Sequence, residues 1–151
     1  MTTSKKSNKE KTNKAPQHLY KYETKSIAIA GRQCLYDCQS IVSKISRLYK
    51  YQIGMGLVNT AAQLVYSIYD ALDYVGFNEE KIRKIKICLE QLRKLIIIIR
   101  VTKDLNQITL DSFEKIVIEL VSIKTQLLNW INYTKQKMEE SQKETSNETT
   151  D

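Results

Sequence analysis

The stretch Asn78–Leu105, NEEKIRKIKICLEQLRKLIIIIRVTKDL, decides the fold. Ile82, Ile85, Leu89, Leu92, Ile96 and Ile99 recur at alternating spacings of three and four, which gathers them on one face of an α-helix. At about 1.5 Å of rise per residue the helix would be about 42 Å long. Asn78 suits the N-cap, and Glu79 and Glu80 lie in the first turn, where the helix dipole favours negative charge. The isoleucine run 96–99 has the length of a strand, but no turn signal flanks it, so it is read as helix.

The same helix carries two further features. Wound at about 100° per residue, Arg83, Lys86, Arg93 and Arg100 form a stripe beside the core face, with Lys81, Lys84, Lys94 and Lys103 on neighbouring faces. Ile87, Ile97, Ile98 and Val101 lie off the core face. Surplus apolar surface of this kind calls for a second packing partner, such as another subunit. One helix is thus expected to serve a core, a subunit contact and a basic surface.

Outward from this helix the chain has few turns to offer. Four Gly and one Pro in 151 residues suit a single domain of long helices. The expected layout is a disordered basic tail over residues 1–24, a four-helix bundle over 25–138 and a disordered acidic tail over 139–151. Charge follows this division. The net charge is +7, with Met1–Lys25 at +5, Asn78–Leu105 at +4 and Lys135–Asp151 at −2. A basic balance favours acidic partners such as nucleic acid or an anionic membrane surface. The N-terminal tail reads equally as a phosphate-seeking arm or as a solubilising segment.

Helix one is expected over about Lys25 to Ile45, with Ile27, Gly31, Cys34, Cys38, Ile41 and Ile45 inward. Helix two is expected from about Lys50 to Val75, with Ile53, Leu57, Ala61, Leu64, Ile68 and Ala71 inward. Its small residues imply close packing, and Gly76 would stop it. Thr109 would cap helix four, expected from Leu110 to Met138, with Phe113, Ile116, Val117, Leu120, Ile123, Leu127, Trp130 and Ile131 on one side. Short links make neighbouring helices antiparallel, which gives an all-α, up-down-up-down four-helix bundle.

Catalysis is not expected. His18 is the sole histidine and sits in the polar tail, so the folded part holds no Ser-His or Cys-His pair. Gly54-Met55-Gly56 lacks the rest of any nucleotide fingerprint. No inward Glu-x-x-His pair is present, so neither metal nor cofactor is expected. Cys34, Cys38 and Cys88 read as buried small hydrophobes. Their odd number and the lack of a signal peptide point to the cytoplasm. The tyrosines of helix two, Tyr49 to Tyr74, either stack on bases beside cations or pack at a bundle rim. The candidate nucleic-acid-binding set is Arg83, Lys86, Arg93, Lys94, Arg100 and Lys103.

Several segments resemble one family. Tyr51–Ala71, YQIGMGLVNTAAQLVYSIYDA, is similar to the second helix of the four-helix-bundle family that includes the accessory variability determinant of diversity-generating retroelements. Leu92, Leu95, Ile99, Arg100, Asp104 and Leu105 look like its L-x-x-L-x-x-x-I-R-x-x-x-D-L pattern. Thr109, Phe113, Leu120, Leu127 and Trp130 resemble its closing segment, with LLNW standing for its LxxW. The chain departs by lacking a Pro before helix two and a Gly-Gly before the Trp. The resemblance implies a barrel-like homopentamer without enzymatic activity. It also implies binding to a reverse transcriptase and to nucleic acid, chiefly template RNA and possibly DNA. A sister branch is encoded in intervening sequences of ribosomal RNA genes. A structural or protein-interaction bundle of that branch, with no retroelement role, is the alternative expectation.

Overall fold

A computed structural model describes residues 19–148. The elements are α1 (Ser26–Lys44), a short α2 (Arg47–Tyr49), a π-helical segment (Lys50–Gly54), α3 (Met55–Asp73), α4 (Glu79–Asp104) and α5 (Leu110–Glu148). No strand occurs among the described residues. The four long helices form a ring. α1 packs on α3, α3 on α4 and α4 on α5, and α5 closes against α1.

Local chemistry sets the helix ends. Asn78 caps α4 by accepting from the Lys81 backbone N–H at 3.1 Å. At the other end Asn106 adopts φ 56°. Gln107 N–H then donates to Thr102 O and Asn106 N–H to Lys103 O, each at 3.0 Å. That is a Schellman closure, with Asn in the left-handed position usually held by Gly. Thr109 Oγ1 accepts from Ser112 N–H at 3.2 Å and starts α5 as its position in the sequence implies.

The α4 stripe departs at two positions from the one expected: Cys88 takes the place of Leu89, which is half-buried, and Leu95 that of Ile96. Its core column is Ile82, Ile85, Cys88, Leu92, Leu95 and Ile99, closed by buried Thr102. Leu95 is fully buried, whereas Ile96, expected inside, is 41% exposed. From Ile85 to Thr102 the spacing is three, four, three, four, three, the period of helices packed at a shallow crossing. Four consecutive isoleucines hide that register, because any of them satisfies a hydrophobic pattern. On α1 the whole expected inward set is buried, including Gly31. A Cβ on Gly31 would lie 2.9 Å from Ile68 Cδ1, so a larger residue there would make the Ile68 side chain of α3 shift.

Four boundaries need correction. Helix two, expected from about Lys50, is preceded by α2 from Arg47 and enters through the π-helical segment, where the expected inward Ile53 is only half-buried. α3 ends at Asp73, before the expected Val75, and Gly76 instead serves the loop at φ 129°. The segment from residue 19, expected to belong to the tail, is tied down. Tyr20 Oη donates to Asp73 Oδ2 at 2.6 Å and its ring meets Tyr69 edge-on, while Arg32 donates to Glu23 O. Residues 1–18 of that tail, His18 among them, lie outside the described residues. α5 runs past Met138 to Glu148, through the segment from Glu139 expected to be a disordered acidic tail. Glu and Lys are good helix formers, Lys137 pairs with Glu140 at 3.2 Å, and Thr145 and Ser146 bond back to the carbonyls of Ser141 and Lys143.

Candidate nucleic-acid interface

Lys86, Arg93 and Arg100 stand seven residues apart on the outward face of α4, and all three are exposed. Two helical turns separate successive members, about 10.5 Å along the axis. Lys86 and Arg93 make no ion pair among the described residues, whereas Arg100 lies 3.4 Å from Asp104. Lys94 lies 3.7 Å from Glu90. Arg83 is clasped by Glu80 at 2.5 Å and 2.9 Å. That contact raises the Arg83 pKa and lowers that of Glu80. Such exposed pairs contribute little to stability. Lys103 is half-buried, with its ammonium 5.7 Å from the centre of the Phe113 ring.

Two lysines expected on faces neighbouring the stripe, Lys81 and Lys84, are set apart from these cations. Lys81 is only 7% exposed. Its ammonium donates to Ala71 O at 2.5 Å and Tyr74 O at 2.7 Å, two carbonyls that the end of α3 leaves unpaired. Burial pushes its pKa down, and Asp73 pulls it partly back. Lys84 turns to Asp70 at 2.8 Å and lies over the Tyr74 ring. Both lysines are engaged within the protein rather than offered to phosphate.

The expected apolar contact surface divides in the same way. Ile97 and Val101 are exposed, whereas Ile87 and Ile98 are half-buried. Ile98 packs against the core and faces Gly56. Sequence reasoning misses a second outward stripe, Ile118, Val121 and Leu128 on α5, 71%, 57% and 43% exposed. With Thr125 these residues are spaced three, four, three, a signal that the sequence itself carries.

Two carboxylates meet between α1 and α5. Asp37 Oδ2 and Glu119 Oε2 are both buried without a hydrogen-bond partner among the described residues. Burial first, and Asp37 second, push the Glu119 carboxyl up to about 7. Cys34, Cys38 and Cys88 are free and buried. Burial pushes the Cys88 thiol up to about 12, so it is a packing group rather than a nucleophile. Among the described residues no three His, Cys, Asp or Glu side chains converge as metal ligands, and no helix is long and apolar enough to cross a membrane. No family profile and no curated protein matches the chain.

Proposed function

We propose that this chain is a non-catalytic accessory that binds RNA along the outward face of α4. In this reading it associates with a reverse transcriptase, acts on the template RNA of a diversity-generating retroelement, and works in the cytoplasm as a homo-oligomer, a pentamer by resemblance. The observation that carries the RNA reading is the column Lys86, Arg93 and Arg100, exposed and regularly spaced. Phosphate contacts of that kind position a polyanion and release counterions, without reading sequence.

The test replaces Lys86, Arg93 and Arg100 together by Glu. Retention of RNA at moderate salt is lost, helix content is unchanged, and the slope of log affinity against log salt falls by about three. Unaltered RNA retention by the triple variant removes the column from the function. The second reading is a protein-interaction bundle, favoured by the exposed α5 stripe Ile118, Val121 and Leu128. RNA retention that is absent in the unaltered protein at every salt concentration selects it.

A further inference from the structure

A cleft of about 670 Å³ opens where the α3–α4 loop meets α5. Five rings line it: Tyr22, Tyr74, Phe77, Trp130 and Tyr133. Phe77 and Tyr133 meet edge-on at 5.8 Å. The loop reaches the cleft through Gly76, whose φ of 129° is one that a side chain would strain.

Charge is arranged around these rings. Lys81 stands 5.0 Å from the Trp130 ring centre, Lys84 5.8 Å from Tyr74, Lys137 5.6 Å from Tyr133 and Lys21 5.2 Å from Tyr22. Lys25 lines the cleft directly, and no carboxylate lines it among the described residues. The acids nearby sit outside the lining: Asp70 holds Lys84, Glu140 holds Lys137, and Asp73, which accepts from Tyr20 Oη, acts on Lys81. Asn129 also lines the cleft, and its carboxamide has no hydrogen-bond partner among the described residues, leaving two donors and an acceptor.

We propose that this cleft takes an unpaired nucleobase from single-stranded RNA, stacked against its rings with Asn129 at the base edge and Lys21 and Lys25 at the flanking phosphates. The proposal rests on the RNA-binding reading and gives it a site that discriminates strand state. Lysines exclude a cationic guest. Aromatic walls and a free carboxamide suit a flat heterocycle better than an alkyl chain. Stacking tolerates any base, so the site distinguishes single from paired strands rather than one sequence from another.

Trp130 is the only tryptophan, so its fluorescence reports on the cleft. A short oligoadenylate quenches Trp130 emission, while the same strand annealed to oligouridylate binds without quenching. Phe77→Ala with Tyr133→Ala weakens single-strand binding by at least about tenfold and leaves duplex affinity unchanged. Tyr133→Phe keeps both. If the alanine variant loses its helical circular dichroism, the contrast between strand and duplex in the unaltered protein decides alone. Oligoadenylate bound with unchanged Trp130 emission sinks the cleft and leaves the α4 column standing. No RNA bound at any salt concentration sinks both. Oleate that quenches Trp130 and displaces the oligonucleotide overturns the proposal in favour of an acyl-chain site.

Discussion

Lys86 and Lys81 lie five residues apart on the same helix and have opposite surroundings. Lys86 extends into solvent in line with Arg93 and Arg100. Lys81 is buried at the corner between α3 and α4, donating to two carbonyls beneath the Trp130 ring. The outward column costs the fold nothing and remains available to a polyanion. The inner ammonium is desolvated and is held only because it closes backbone acceptors that would otherwise be unpaired. The carboxyl pair Asp37 and Glu119 belongs with Lys81, since both are charges that packing draws away from water. Positive charge on this protein therefore marks two roles, and exposure separates them.

The largest effect that sharpens this contrast is at Lys81. Lys81→Met strands the carbonyls of Ala71 and Tyr74 and lowers stability by about 2 kcal/mol, read from urea unfolding. A midpoint as high as that of the unaltered protein makes Lys81 a bystander.

Glu119 gives a smaller effect that depends on pH. Its folded carboxyl holds a proton up to about 7, against an ordinary value of 4.5. Between these values the folded state binds more protons than the unfolded state, so stability falls as pH rises through the window. Glu119→Gln cannot ionise. It stabilises the protein by about 1 kcal/mol near pH 8, an effect trimmed by solvent screening because the group is half-buried, and the gain vanishes below pH 4.5. An identical gain at both ends of the range refutes the carboxyl pairing.

The smallest effect belongs to the outward column. Lys86→Met leaves the urea midpoint unmoved while weakening RNA retention. A loss of stability matching that of Lys81→Met erases the distinction.

Much of the frame is legible in the amino-acid sequence. The inward residues of α1, the cap at Asn78, the start at Thr109 and the outward column on α4 follow from spacing alone, because a helix projects each residue at a known angle. The register at Leu95 is not legible, since the isoleucine run satisfies several stripes equally. The α5 stripe obeys the same helical period as the inward side of that helix, and the longer inward set masks it.

What the sequence by itself determined is therefore the four long helices, the starts at Asn78 and Thr109, the inward face of α1 and the outward cationic column of α4. Only the tertiary structure decided that Lys81 leaves the basic surface for the carbonyls of Ala71 and Tyr74, that Asp37 meets Glu119, and that rings from three segments enclose one cleft. The physical reason is separation along the chain. Helical periodicity orders neighbours within a few turns, whereas the pairing of residues 37 and 119, or a cleft shared by residues 22 and 130, exists only after the bundle closes.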